Sequence, residues 1–363
     1  MTSRLDRAQA LAQREGVDAL LVTPGADLRY LTGYAAKPLE RLTCLVVRAS
    51  GDPVLVVPRL EKQAALDSGT SVELATWDES DDPFALVASI VGDQASTVAL
   101  DDQMWASRVF ALGEALPVTD QVLAGPLLTE LRMRKDAAEV AALRAAGEAI
   151  DRVHARMGEF LRVGRTEREV GADIARAILE EGHETVDFVI VGSGPNGASP
   201  HHEVSDRVIG AGEPVVVDLG GTTPEGYCSD STRNYVAGGE PPADYLAKYE
   251  VLLAAQAAQR EHARAGVSAE SVDAVGRDLM TEAGIGELFL HRTGHGIGQE
   301  THEEPYIIAG NDLALEPGMA FSIEPGFYVE GSYGARIEDI AVIGEDGALE
   351  VLNVRPRELV RLP

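Results

Sequence analysis

Residues 215–236 read VVVDLGGTTPEGYCSDSTRNYV, and residues 320–343 read AFSIEPGFYVEGSYGARIEDIAVI. Each is an apolar run that carries a carboxylate, turns through a Gly-rich segment and returns along a run that carries another. In the first, Asp218 ends VVVD and Asp230 follows twelve residues later; in the second, Glu338 follows Glu324 after fourteen. Short apolar runs bounded by turn residues mark buried strands. A carboxylate on such a strand points where a lone negative charge is costly. The expected unit is a hairpin with one inward carboxylate on each arm, present twice.

Working outward, each hairpin is preceded by two helices. Asp136 and Glu139 have capping-box spacing. Val140, Leu143, Ile150, Val153, Met157 and Leu161 then line one helical face up to Gly164. Thr166 and Glu169 open a second helix that runs to Gly182. The same order returns in a helix over roughly 243–264 that stops at Gly266, and another from Ser268 to near Gly284. Gly164 and Gly182 are 18 residues apart, as are Gly266 and Gly284, and the two sets are offset by 102. A Gly- and His-rich segment follows each pair: GSGPNGASPHHE at 192–203 and HRTGHGIGQETHEE at 291–304. This repetition predicts a duplicated α/β unit with a pseudo-twofold axis and a cleft between its halves. Upstream, strand patterns at 19–23, 42–47, 53–57, 72–75 and 97–100 alternate with helical ones at 3–15, 60–66 and 106–112, which argues for a smaller α/β domain. Gly125-Pro126 reads as a linker, so the expected domains are 1–125 and 130–363. His154 and His262 fall on helices with charged neighbours and are expected to be solvated.

Composition limits the partners. The chain has 363 residues, with 31 Lys+Arg against 59 Asp+Glu and a formal net charge of −28. Residues 1–130 carry 10 basic and 19 acidic residues, so neither part is basic. Nucleic acid and anionic membrane are excluded as partners by such a surface. No apolar run is long enough to span a bilayer, and the first residues lack the apolar stretch of a signal peptide. Two distant cysteines, Cys44 and Cys228, make no disulfide framework and fit a reducing compartment, so the expectation is a cytoplasmic protein.

Five of the eight histidines, His201, His202, His291, His295 and His302, lie in the two Gly/His segments. Four buried carboxylates cannot all stay charged without compensation: they hold protons or they surround cations. With His295 the set is oxygen-rich with one nitrogen, which suits Mn²⁺, Co²⁺, Zn²⁺ or Fe²⁺. Two divalent ions offset four negative charges, and a hydroxide between them is a ready nucleophile.

VVVDLGG…GYCSDSTR, HRTGHGIGQETHE, FSIEPG and GARIED, in this order, resemble the proline-specific metallopeptidases of the pita-bread fold: prolidase (Xaa-Pro dipeptidase) and aminopeptidase P. The likeness covers residues 130–363, while 1–125 resemble the creatinase-type N-terminal domain more loosely. It implies Asp218, Asp230, His295, Glu324 and Glu338 as ligands of two divalent ions, Mn²⁺ or Co²⁺ before Zn²⁺ or Fe²⁺. Asp230 and Glu338 would bridge both ions. Glu324 would shuttle the proton of the attacking water. His201 would lie near the scissile carbonyl, His302 would hydrogen-bond the substrate, His291 would lie against the proline pocket, and Arg336 would hold the ligand carboxylates. The resemblance also implies a homodimer acting on small Xaa-Pro peptides. The two aspartates are 12 apart here and 11 in most relatives, which reads as one residue inserted in the turn at 222–225.

The motifs do not separate dipeptidase, the favoured reading, from an aminopeptidase P that trims longer peptides. Methionine aminopeptidase shares the ligand pattern without an N-terminal domain of this size. Creatinase and the non-catalytic pita-bread binding modules lack the full ligand set. A dipeptidase needs a cation for the substrate's carboxylate, since an Arg fork matches it best. In the stretch GYAAKPLERL at 33–42, Arg41 is the candidate gate, against the alternative that it pairs with Glu40.

Overall fold

Capping side chains set where the helices start in the computed structural model, which describes residues 3–116 and 120–363. Ser3 Oγ accepts from the Asp6 amide and Asp6 accepts from the Ser3 amide, both at 3.0 Å, opening the helix Arg4–Arg14. Asp136 with Glu139, and Thr166 with Glu169, form the same reciprocal box ahead of Ala137–Ala155 and Glu167–Glu180. The chain divides into two compact units between Arg132 and Met133.

The first unit is built on β1 (Ala19–Val22), β2 (Cys44–Arg48), β3 (Val54–Pro58), β4 (Glu73–Trp77), β5 (Thr97–Leu100) and β6 (Asp120–Leu123), in sheet order β4-β3-β2-β1-β5-β6. Side chains alternate between its faces. Leu20, Val22, Leu45 and Val47 pack with Ala8, Leu11 and Ala12 of the first helix. Ala19, Leu21, Cys44 and Val46 pack with Val87 and Leu112 on the other side. Both faces are covered, which is why these strands are apolar at every position. Fully burying each Val or Leu contributes about 1.5–3 kcal/mol. Gly125-Pro126 is not a linker: it opens the helix Gly125–Met133, with the Gly125 amide donating to Asp102 Oδ1 at 2.6 Å. Proline fits a first helical turn because its missing N–H has no partner there.

The second unit repeats itself. Its first half runs through helices Ala137–Ala155 and Glu167–Glu180 to β7 (Thr185–Ser193), β8 (Pro214–Thr222) and β9 (Ser231–Ala237). Its second half runs through Ala243–His262 and Ala269–Glu282 to β10 (Gly294–Gly296), β11 (Glu303–Ile307), β12 (Ala320–Ile323), β13 (Gly326–Val329), β14 (Tyr333–Arg336), β15 (Asp339–Ile343) and β16 (Leu349–Val351). A last strand, β17 (Val360–Leu362), returns to pair with β9, giving sheets β17-β9-β8-β7 and β11-β10-β12-β15-β16. The duplication shows in the backbone. The Gly164 amide donates to the Ile209 carbonyl and the Ile209 amide to the Arg165 carbonyl, both at 2.9 Å; Gly266, Leu315 and Val267 repeat this pattern at 2.8 Å.

Three expectations change. The first long helix stops at Ala155, and a separate short turn, Met157–Phe160, follows Arg156, whose amide bonds three residues back to the Val153 carbonyl. The second carboxylate pair is not on one simple hairpin. Its arms β12 and β15 pair directly, and the β13–β14 hairpin between them forms a sheet of its own. His154 is not solvated but buried, 2.9 Å from Tyr235 Oη and 3.2 Å from the Ser231 carbonyl, and His262 is half-buried against Ser271 Oγ at 3.0 Å. Charged sequence neighbours occupied other faces of those helices. Among the described residues no helix is long and apolar enough to cross a membrane.

Candidate metal centre

The chemistry sits on strands of the second unit or immediately at their ends. Asp218 lies on β8 directly across from Thr232 of β9, and Asp230 ends the turn just before β9. Glu324 follows β12, and Glu338 precedes β15. His295 is the middle residue of β10, between two glycines. Those glycines are forced by neighbouring backbone: a Cβ on Gly294 would sit 1.9 Å from the Ser322 carbonyl oxygen, and one on Gly296 2.1 Å from that of Glu304. Only glycines let β10 slip between β11 and β12 and bring the imidazole to the carboxylates.

Asp230, His295 and Glu338 offer ligand atoms that all lie within 4.8 Å of one another. A carbonyl can only accept, so His295 Nδ1 donates to Gly296 at 3.0 Å, turning Nε2 toward the acids. Nε2 is 3.1 Å from Glu324 Oε1 and 3.6 Å from Asp230 Oδ2. Asp218 joins through Arg336, whose Nη2 donates to its Oδ2 and whose Nε lies 3.8 Å from Glu324 Oε2. Thr232 Oγ1 donates to Glu338 Oε2 at 2.7 Å and accepts from Arg336 Nε at 3.1 Å.

The electrostatics show a shortage of positive charge. Burial, then the charges of Glu338, Asp218 and Glu324, push the Asp230 carboxyl well above the usual range. Burial and the charges of Glu324 and Asp218 do the same to Glu338. Burial also opposes ionisation of Glu324, but His295, His291 and Arg336 outweigh it and hold its carboxyl down to about 2. Asp218 Oδ1 is buried with no hydrogen-bond partner among the described residues. An orphaned carboxylate oxygen beside converging acidic and imidazole donors fits divalent cations: they would take the free lone pairs and remove the cost of charge.

Residues 141–345 match the family model described as Metallopeptidase family M24, and residues 4–134 match the Creatinase/Prolidase N-terminal domain. The chain belongs to metallopeptidase family M24. It is 54% identical over 364 residues to the probable dipeptidase PepE of Mycobacterium tuberculosis, covering 99% of this chain and 96% of that protein. It is 36% identical over 354 residues to the Xaa-Pro dipeptidase of Lactobacillus helveticus, with 94% and 95% covered. The crystal structure of dipeptidase PepE from Mycobacterium ulcerans superposes with a TM-score of 0.92 at 53% identity, over 99% of this chain and 97% of the other. The M24 fold, with its pita-bread catalytic part and creatinase-like N-terminal part, is thereby the fold of this metallopeptidase.

Around the M24 centre the remaining histidines differ in their ties. His302 is exposed, its ring perpendicular to that of His295 with centroids 4.1 Å apart. Desolvation by neighbouring groups, then the charges of His295 and Arg292, lower it to about 4, so it is neutral at pH 7. His291 is 2.8 Å from Tyr328 Oη, and Tyr328 also accepts from Arg336 Nη1 at 2.8 Å. His201 is exposed, whereas His202 reaches the buried Glu167 at 2.8 Å. Glu167 also accepts from Ser193, Asn196 and Ser205, so it fastens the loop that presents His201. Arg41, given the gate role, is paired with Glu79 at 2.5 Å and Glu40 at 2.6 Å within the first unit. Thr232, Ser322, Tyr328 and Glu167 were not singled out in the sequence. A period-two signal was there for two of them: Thr232 is two residues from Asp230, and Ser322, whose Oγ donates to Glu324 Oε1 at 3.0 Å, is two from Glu324.

Proposed function

We propose that this metallopeptidase hydrolyses the Xaa-Pro bond of dipeptides, using two divalent ions, Mn²⁺ or Co²⁺, held by Asp218, Asp230, His295, Glu324 and Glu338. The observation that carries the reading is the convergence of Asp230, His295 and Glu338 within 4.8 Å, beside the unpartnered Asp218 oxygen. Relatives named as dipeptidases, matched over 94–99% of this chain, favour the dipeptide substrate. The catalytic work falls to residues 130–363, with 1–125 as an accessory domain. The acidic surface and two free cysteines favour a cytoplasmic protein, working as a homodimer, as its class does.

An Xaa-Pro bond is a tertiary amide with no N–H to grip. The ions, when bound, supply Lewis-acid polarisation of the carbonyl and a lowered pKa for water. Asp230 and Glu338 would hold both ions. Glu324, whose Oε1 is held by Ser322, takes the proton of the attacking water and passes it toward the proline nitrogen. His201 and His302 face the substrate carbonyl as hydrogen-bond donors to its developing charge. His291 lies beside the proline ring, and Arg336 keeps Asp218 in place. The test is a rate comparison of Xaa-Pro with Xaa-Pro-Xaa peptides after chelation and reloading with Mn²⁺ or Co²⁺. Faster cleavage of the dipeptide supports the reading. Preference for the longer peptide makes the enzyme an aminopeptidase P.

A further inference from the structure

A dipeptide differs from every longer substrate in the carboxylate that follows its proline, so discrimination requires a cation at that end of the site. Arg336 donates to Asp218, Tyr328 and Thr232, and Arg41 is held by Glu40 and Glu79. Arg292 is different. It lies between His291 and the ligand His295 in sequence, is half-buried, and among the described residues no carboxylate or carbonyl accepts from its guanidinium. Its Cζ sits 4.3 Å from the centre of the Tyr306 ring. Stacking on an aromatic face orients the guanidinium plane and leaves its N–H edge free, the geometry for a bidentate carboxylate.

The position is consistent with the cleft. On β11 burial alternates, with Glu303, Pro305 and Ile307 inward and Glu304 and Tyr306 on the opposite face. His302, two residues before Glu304, continues that face and meets the His295 ring. Among the described residues the Arg292 guanidinium stacks on Tyr306 and has no acidic partner.

We infer that Arg292, braced by Tyr306, receives the terminal carboxylate of the substrate and so sets the preference for dipeptides. This deepens the dipeptidase reading and rests on it. The test uses metal-loaded enzyme with Ala-Pro and Ala-Pro amide, which differ only at that carboxylate. Wild type should favour the acid in kcat/KM, mainly through KM. R292A should lower the acid-to-amide ratio by about 10- to 100-fold, the loss of charge-assisted hydrogen bonds, and R292K should fall between. Melting temperature and metal content are read on the same preparations. If wild type favours the acid and R292A keeps that ratio, or loses both substrates equally, Arg292 is only a packing residue and the inference is wrong. If wild type itself favours the amide, the dipeptidase reading fails first and takes this inference with it.

Discussion

The two halves of the second unit share a scaffold and differ in what hangs on it. Helix ends, turn glycines and backbone bridges recur at a near-constant offset, as Gly164 with Ile209 and Gly266 with Leu315 show. The Gly/His segments diverge. In the first half, the loop is tied down by Glu167 and leaves His201 exposed. In the second, the corresponding segment becomes the strand β10, and His295 is buried among the acids. The ties between halves cross over. Thr232 of the first half donates to Glu338 of the second, and Arg336 of the second half donates to Asp218 of the first. Each half therefore holds a carboxylate of the other, so the centre exists only when both are folded together.

The largest effect should come from breaking the shared point. Glu338→Ala removes an acid that faces both halves, and chelation removes the ions it is proposed to hold; both should abolish peptide cleavage, with Mn²⁺ rescuing only the chelated wild type. Retained activity in exhaustively metal-stripped protein would contradict the assignment. His302→Ala should keep its metal content and lose about 10²–10³ in kcat, the usual scale for a group that stabilises developing charge. Should elemental analysis show a lost ion instead, His302 belongs among the ligands. Thr232→Val keeps the shape but cuts the cross-half hydrogen bond at 2.7 Å to Glu338. Removing such a supporting partner typically weakens metal binding by about 10–100-fold. An unchanged affinity in a metal titration would show that the halves are held together elsewhere.

Much of this was legible because local chemistry determined it. Capping boxes at Asp136 and Thr166 are three-residue events, and the apolar run at 215–217 marks a strand covered on both faces. The acids stood out because carboxylates are rare in such runs. What escaped depends on the third dimension. Glycines flanking His295 read only as part of a Gly- and His-rich segment, yet they mark a strand squeezed between two backbones. Glu167 drew no notice in the first turn of a helix, yet it is buried under a loop that arrives from residues 193–205. His154 read as solvated because helical spacing tells which residues share a face, not which second face a sheet will cover.

That histidine also gives the smallest test of the comparison. His154 and Gln256 are 102 residues apart, the offset that relates the two pairs of helices. His154 Nε2 donates to the carbonyl of Ser231, the residue after Asp230; Gln256 Nε2 donates to the carboxylate of Asp339, the residue after Glu338, at 2.7 Å. The helix residue that makes the tie to the strand is thus titratable in one half and not in the other. Burial, then the charge of Arg233, lowers His154 from 6.5 to about 3, so it is neutral in the folded protein. The unfolded chain binds its proton below about pH 6.5, the native state only near pH 3. Stability from this group is therefore full above pH 6.5 and is lost as the pH falls toward 3, at ~1.4 kcal/mol per unit. His154→Gln transplants the second half's residue and should flatten that slope. Between pH 6.5 and 5.0, wild type should lose about 2 kcal/mol more than the variant in urea unfolding. Parallel pH profiles would mean that His154 already takes up its proton in the native state, and that its tie to the Ser231 carbonyl is not the counterpart of Gln256.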